Sequence, residues 1–235
     1  MREFNIFGPV DPAKHYHVDR VAVKADLSAR IERGRYLTLN ASRQTGKTTL
    51  FHEIISELES TGDYFGILLD FEQLADFQGR RFYERLGVLI ERWQQQTNPN
   101  RQSINLRDHG DFIDWLQSTV RSSGKKGVLI IDEFDAVATK IIKPILSLLR
   151  GMYLEKNQNR DDILHSVVLV GVRNLPSLLE GSQSPFNIAE QFTVPYFMAG
   201  EVADLLSQHT AETGQRFEPA VVQGITEETE GQPFL

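Results

Sequence analysis

The apolar residues of this chain follow two patterns, which predict two kinds of element. Short, nearly continuous apolar runs occupy residues 36–39, 64–69, 127–131 and 166–172. Runs of this length predict parallel strands that are buried on both faces. A further run at 191–197 predicts a fifth strand, and Pro195 near its end favours a position at the edge of a sheet.

Between these runs, apolar residues recur at intervals of three and four, which predicts amphipathic helices. A short helix is expected from Leu27 to Ile31, ending near Gly34, and Pro144 suits the first turn of the helix after the third run. The polar stretch 94–107 predicts a loop. Strands that alternate with helices predict an α/β fold. Helical spacing is present at Leu50, Ile54 and Leu58; Phe82, Leu86, Leu89, Ile90 and Trp93; Phe112, Ile113, Leu116 and Val120; Ile142, Ile145, Leu146, Leu149, Met152 and Tyr153; Val202, Leu205, Leu206 and His209; and Val221, Val222 and Ile225.

Composition narrows the class of protein. The 235 residues suit one large α/β domain, or one domain and the start of another. The net charge of −7 does not favour a protein that coats nucleic acid, and the absence of cysteine excludes disulfides and thiolate metal sites. The pair His15 and His17 has no carboxylate neighbours that would favour a metal site. Without a signal-peptide pattern or an apolar run of about 18 residues, the expected location is cytoplasmic and not in a membrane.

A loop of eight residues, Ala41-Ser42-Arg43-Gln44-Thr45-Gly46-Lys47-Thr48, joins the first strand to the first strong helical pattern. Strand, tight loop and helix are the context of a phosphate-binding loop, whose backbone N–H groups surround the phosphates. Lys47 would reach the β- and γ-phosphates, and the hydroxyl of Thr48 would bind Mg²⁺. The first position is Ala41 and not glycine, and alanine fits there if its φ is negative.

A second motif stands at residues 127–133, where a buried strand ends in Asp132 and Glu133. The carboxyl ends of parallel strands form the edge at which ligands bind in open α/β sheets. Asp132 would hold Mg²⁺, mostly through water, and Glu133 would orient and deprotonate the attacking water. Acids at a strand end can also cap a helix, but this motif and the loop upstream together favour a nucleotide site.

These two motifs resemble those of P-loop ATPases in which a catalytic glutamate directly follows the Walker B aspartate, a division that includes AAA+ and STAND proteins. The chain is most similar to prokaryotic AAA-like ATPases of STAND type, with Arg43 to Thr48 carrying the likeness. The resemblance implies a three-layer core over residues 1–197, with five mainly parallel strands in the order 5-1-4-3-2. It also implies the start of a helical lid over 198–235.

The resemblance implies roles for further residues. Arg173, which follows the fourth strand, would sense the γ-phosphate, and Pro233 of the Gly231-Gln232-Pro233 sequence would lie near the adenine. Tyr16 and Val18 are candidates to contact the adenine from the N-terminal segment, which could instead simply pack on the domain. Together with Thr49, these residues and the loop form the expected nucleotide contacts. Arg150 and Arg160 lie where such proteins can carry an arginine finger, although a structural role is favoured for both.

The function implied by this resemblance is Mg²⁺-dependent binding of ATP and slow hydrolysis, because no arginine finger is identified. A STAND-type switch would use ATP and ADP to control a protein partner or self-association. The alternative is the ATPase module of a DNA-transaction or loader protein, although the segment itself gives no indication of nucleic-acid binding.

Overall fold

Five parallel strands form the centre of the protein in the computed structural model, which describes residues 1–6, 8–41, 45–97, 103–157, 164–171 and 187–233. The strands are ordered β2-β3-β4-β1-β5, and each pair of neighbours is parallel. This is the expected order read from the other edge, so that prediction is confirmed. The strands are β1 (Tyr36–Asn40), β2 (Tyr64–Asp70), β3 (Lys126–Asp132), β4 (Leu164–Gly171) and β5 (Glu190–Thr193).

Helices cover both faces of the sheet. Short 3₁₀ turns follow β2 at Glu72–Leu74 and β3 at Phe134–Ala136. No helix in the described part of the chain is long and apolar enough to span a membrane. The helices are α1 (Val21–Glu32), α2 (Lys47–Ser60), α3 (Arg80–Thr97), α4 (His109–Ser123), α5 (Thr139–Asn157), α6 (Ala199–Thr213) and α7 (Pro219–Thr229).

The sheet separates two hydrophobic cores, which explains why its strands are apolar at successive positions. Val128 and Ile130 of β3 pack into the core that contains α1 and α2. Their neighbours Leu129 and Ile131 pack into the core that contains α3, α4 and α5. Successive side chains of a strand point to opposite faces, so a strand between two helical layers needs apolar residues throughout. The expected three-layer arrangement is confirmed.

Three boundaries differ by several residues from the sequence-based predictions. The first helix begins at Val21, well before Leu27. The prediction missed its first turns because only Leu27 and Ile31 are fully buried, so these turns lack a clear apolar pattern. The third helix continues to Thr97, so residues 94–97 are helical and not part of a loop. The last strand ends at Thr193, since its pairing with β1 stops at Asn40. Pro195 therefore lies beyond the strand.

The placement of Pro144 in a first helical turn is wrong, because Pro144 lies inside α5. The helix starts early: the carbonyl of Ala138 already accepts hydrogen bonds from the N–H groups of Ile141 and Ile142. A proline removes the bond to the carbonyl four residues earlier. That carbonyl belongs to Lys140, an exposed residue that water can reach.

Two helices follow the last strand. Val202 and Leu206 of α6 are buried, whereas α7 has no fully buried residue. The N–H of Phe197, just before α6, donates a 2.8 Å hydrogen bond to the carbonyl of Gly231, just after α7. The chain from 197 to 231 therefore returns to its starting point. The division into a core (1–197) and a lid (198–235) stays a prediction.

Candidate functional site

One cavity of about 600 Å³ opens where β1, β2 and β3 end. Its walls come from four parts of the chain: the N-terminal segment, the loop after β1 with the start of α2, the acids after β2 and β3, and the region of the two C-terminal helices. Because parallel strands end at the same edge of the sheet, the two sequence motifs meet there.

The loop after β1 has the local geometry that its sequence predicts. Gly46 immediately precedes α2 with φ +76°, a left-handed conformation that glycine adopts without strain. Ala41 is buried and has a negative φ, so a Cβ is tolerated at this position. Thr45 is buried and Lys47 begins the helix. The predicted contacts Ser42, Arg43 and Gln44 lie outside the described residues.

Lys47 is a buried residue in the wall of the cavity. It is 7% exposed, and its Nζ lies 3.5 Å from both Oε1 of Glu133 and the carbonyl oxygen of Ala41. A buried ammonium group with a nearby carboxylate is a point charge that is already in place for an anion. Thr49 has a different partner, because its Oγ1 accepts a 3.0 Å hydrogen bond from the N–H of Val10 in the N-terminal segment.

Thr48 and Asp132 come together from different elements. The hydroxyl of Thr48 donates a 3.2 Å hydrogen bond to Oδ2 of Asp132. Burial raises the pKa of the Asp132 carboxyl, although the positive charge of Lys47 opposes that shift. A carboxylate that burial destabilises gains from a cation, which restores the compensation that water no longer provides.

Glu133 has an uncommon backbone conformation that separates it from its neighbour. Its φ of 50° and ψ of 39° are left-handed, which costs about 1–2 kcal/mol for a residue with a Cβ. Its N–H donates a 3.0 Å hydrogen bond to Oδ1 of Asp132. As a result, Asp132 contacts Thr48 whereas Glu133 lies beside Lys47, so two adjacent acids face different groups.

The residues at this edge fit a hard divalent cation. The hydroxyl of Thr48 and the carboxylate of Asp132 are the oxygen ligands that Mg²⁺ prefers. Among the described residues, no group of three or more histidine, cysteine or acidic side chains is arranged to hold a metal. Two protein ligands leave most coordination positions for phosphate oxygens and water, which is how Mg²⁺ is usually bound in nucleotide sites.

Asp70 is a site residue that the sequence reasoning missed. It ends β2 directly opposite Asp132 and lines the same cavity. Its Oδ1 accepts a 2.8 Å hydrogen bond from the N–H of Glu72, and burial raises the pKa of its carboxyl. The available signal was the apolar run 64–69 ending in an acid, the same pattern as at residue 132.

The N-terminal segment and the C-terminal region form the other walls. Tyr16, Val18 and Pro233 all line the cavity, so the structure brings together the three predicted adenine contacts. Arg150 of α5 is not among the lining residues. The predicted sensor Arg173 lies outside the described residues, as does Arg160.

Hydrogen bonds hold the N-terminal segment against α6. Arg2 donates from Nε to Oε1 of Glu212 over 2.6 Å, and its backbone N–H donates to Oε2 over 2.9 Å. Gln208 donates from Nε2 to the carbonyl of His17 over 2.7 Å and accepts from the N–H of the same residue over 3.2 Å. The cavity is therefore bounded by segments from both ends of the described chain.

Comparisons with known proteins agree with this geometry. The sequence profile of a family described as AAA-like domain matches residues 6–235. A search of curated protein sequences finds no significant match.

Several solved structures share the fold. The Walker-type ATPase PABY2304 of Pyrococcus abyssi is 18% identical, with a TM-score of 0.72 over 98% of this chain and 68% of the other. The ORC1 protein of Aeropyrum pernix, in complex with DNA, is 16% identical, with a TM-score of 0.59 over 93% of this chain and 57% of the other. The ORC2 protein of the same organism, in ADPNP–ADP complexes, is 16% identical, with a TM-score of 0.53 over 81% of this chain and 50% of the other. The chain thus spans about half the length of these two ORC proteins.

Proposed function

Because this chain belongs to the AAA-like domain family, we propose that it binds ATP with Mg²⁺ in the cavity at the carboxyl edge of its sheet and hydrolyses it slowly. The observation that carries the proposal is one pair of contacts among residues that line the cavity. Lys47 lies 3.5 Å from Glu133, and Thr48 lies 3.2 Å from Asp132. A cation, a hydroxyl and two differently placed carboxylates are the groups that transfer of a phosphoryl group to water requires.

Each residue has a separate task in this proposal. The backbone N–H groups of the loop and the ammonium of Lys47 bind the phosphates. Thr48 and Asp132 would hold an Mg²⁺ ion, which would supply positive charge to offset that of the phosphates. Glu133 orients the attacking water and accepts its proton. Arg173, which follows the fourth strand in the sequence, is proposed to contact the γ-phosphate.

The position of the cavity favours a nucleotide-dependent switch. Leu205 and Pro233, which belong to the proposed lid region, line the same cavity as Lys47. A bound nucleotide would therefore contact both the core (1–197) and the lid (198–235), and loss of the γ-phosphate could alter their relation. In this proposal the nucleotide state controls the binding of a protein partner or self-association.

The ATPase module of a DNA-transaction or loader protein is the second candidate. It is favoured by the fold shared with the ORC1 protein in complex with DNA. A test by fluorescence anisotropy separates the two: nucleotide-dependent binding of labelled duplex DNA supports the loader, and its absence favours the switch.

The experiment for the ATPase proposal compares Glu133→Gln with Asp132→Asn. Glutamine preserves the size of the side chain but cannot accept a proton. We expect near-normal ATP affinity and single-turnover hydrolysis slower by a factor on the order of 10²–10⁴. Asp132→Asn should instead weaken the part of ATP affinity that depends on Mg²⁺, measured by calorimetry with Mg²⁺ and with EDTA. Hydrolysis by Glu133→Gln at the parent rate would show that its catalytic assignment is wrong.

A further inference from the structure

Arg20 is a buried charged residue at the junction of the phosphate loop and the C-terminal region. It immediately precedes α1, the residue is 5% exposed, and it lines the cavity. Arginine is rarely buried this completely without partners that use its several donors. Its contacts therefore indicate what it does.

The guanidinium group donates to backbone carbonyls of two separate segments. Its Nη1 donates to the carbonyl of Thr45 in the phosphate loop over 3.4 Å. Its Nη2 donates to the carbonyl of Pro195 over 2.5 Å and to that of Tyr196 over 3.5 Å. The last two carbonyls belong to the connection between β5 and α6, so one planar group contacts both the loop and this connection.

The same connection continues to the end of the described chain. The guanidinium carbon of Arg20 lies 5.3 Å from the centre of the Phe197 ring, within range of a cation–π contact. The N–H of Phe197 bonds to the carbonyl of Gly231, two residues before Pro233 in the cavity wall. A continuous series of contacts thus leads from Thr45 through Arg20 and Phe197 to Gly231.

The contact with Thr45 affects a group that the proposed nucleotide would use. The carbonyl of Thr45 and the N–H of Gly46 belong to one planar peptide, in which they point in opposite directions. A hydrogen bond that holds the carbonyl also holds the N–H, which is a donor of the phosphate loop. Hydrogen bonds at the two ends of a peptide polarise one another. A phosphate that accepts a hydrogen bond from the N–H of Gly46 would therefore strengthen the hydrogen bond from Arg20 to the carbonyl of Thr45.

We propose that Arg20 is a positioning residue that couples phosphate binding in the loop to the position of the connection between β5 and α6. The inference rests on the proposed function, because it requires a nucleotide in the cavity. A rigid, planar fork is suited to this task, since its donors keep three carbonyls in a fixed relation. A lysine at the same position would keep the charge but lose the fork.

The test uses hydrogen exchange with and without ADP·Mg²⁺, at concentrations that saturate each protein. In the parent, ADP should slow exchange at the amides of Lys47 to Leu50 and also at those of Tyr196, Phe197 and Gly231. Arg20→Lys should preserve the first effect and lose at least half of the second. Its affinity for ADP, measured by calorimetry, should fall about tenfold, which lies within the range typical of a coupling free energy between two sites.

Arg33→Ala is the matched control, because Arg33 is an exposed arginine at the other end of α1. It should behave like the parent. If Arg20→Lys does not fold, Phe197→Leu replaces it, since this variant removes the ring against which the guanidinium packs and should show the same loss at the connection.

Two results would overturn the inference while leaving ATP binding intact. The first is that ADP protects the connection from exchange as strongly in Arg20→Lys, or in Phe197→Leu where that variant replaces it, as in the parent. The second is that ADP protects only the amides of the phosphate loop in the parent. If the parent binds no nucleotide, calorimetry shows it directly, and the proposed function fails together with the inference.

Discussion

Lys47→Ala is the most direct test of the phosphate site. The Lys47 ammonium is 7% exposed and lies 3.5 Å from Glu133, so it offsets carboxylates that would otherwise repel phosphate. A charge-assisted hydrogen bond is worth about 1.5–3 kcal/mol, which corresponds to roughly 10- to 150-fold in affinity. Renewed repulsion by the acids adds to this loss. We therefore expect ATP affinity to fall by about 100-fold.

The thermal effect follows from this affinity. ATP·Mg²⁺ at about 100 times the parent Kd stabilises the parent by roughly 2.7 kcal/mol. For a domain of this size, that corresponds to a rise in Tm of about 5–11 °C. At the same concentration, the variant would gain only about 0.4 kcal/mol, or about 1–2 °C.

The assay is thermal melting with and without ATP·Mg²⁺, and the shift within each protein is compared, because the variant can also differ in ligand-free stability. Lys125→Ala provides the control, since Lys125 is an exposed lysine after α4. It should keep the full parent shift. An equal shift in Lys47→Ala would refute the reasoning, because ATP would then bind without the charge at this position.

Three further predictions concern other parts of the site. Burial raises the pKa of Asp132, so its negative charge destabilises the ligand-free fold above that pKa. Asp132→Asn should therefore raise Tm at neutral pH. In thermal melts at a series of pH values, the difference in Tm between variant and parent should vanish below about pH 4, where the carboxyl of the unfolded parent is also protonated. A lower Tm for this variant at pH 7 would contradict the argument. Gly231→Ala should lower the free energy of unfolding, measured with denaturant, by about 2–4 kcal/mol, because Gly231 has φ +76° and a Cβ would overlap the carbonyl oxygen of Phe197. Its control, Gly224→Ala inside α7, meets no atom within 4 Å and should be neutral or stabilising by up to about 1 kcal/mol. Arg173→Ala should lower affinity for a non-hydrolysable ATP analogue more than for ADP; equal losses in calorimetry would indicate a structural role.

Much of the fold was predictable because its signals are local. A strand between two helical layers must be apolar on both sides, and β3 and β4 therefore stand out as continuous apolar runs. Where the local signal was weaker, the boundaries were wrong. The first turns of α1 have no buried apolar residue, and Pro144 lies inside its helix because that helix already begins at Thr139.

Asp70 shows how tertiary structure adds to a pattern that was visible but ambiguous. An acid at the end of an apolar run could lie at a sheet edge far from the loop. Pairing of β2 with β3 places it opposite Asp132. The identity of that neighbouring strand depends on the sheet order, which the family resemblance implied but which the pattern around position 70 does not itself indicate.

By itself, the sequence determined the two motifs, because the loop of residues 41–48 and the acids 132 and 133 are each contiguous and each follow a strand. Arg20 could not be found in this way. Its acceptors, Thr45, Pro195 and Tyr196, lie 25, 175 and 176 residues away along the chain. They meet because β1 lies beside β5, which brings the loop after one strand next to the connection after the other. The family resemblance implied that these two strands are neighbours, but only the tertiary structure decides which side chain reaches carbonyls on both segments, because that depends on distances between residues far apart in the sequence.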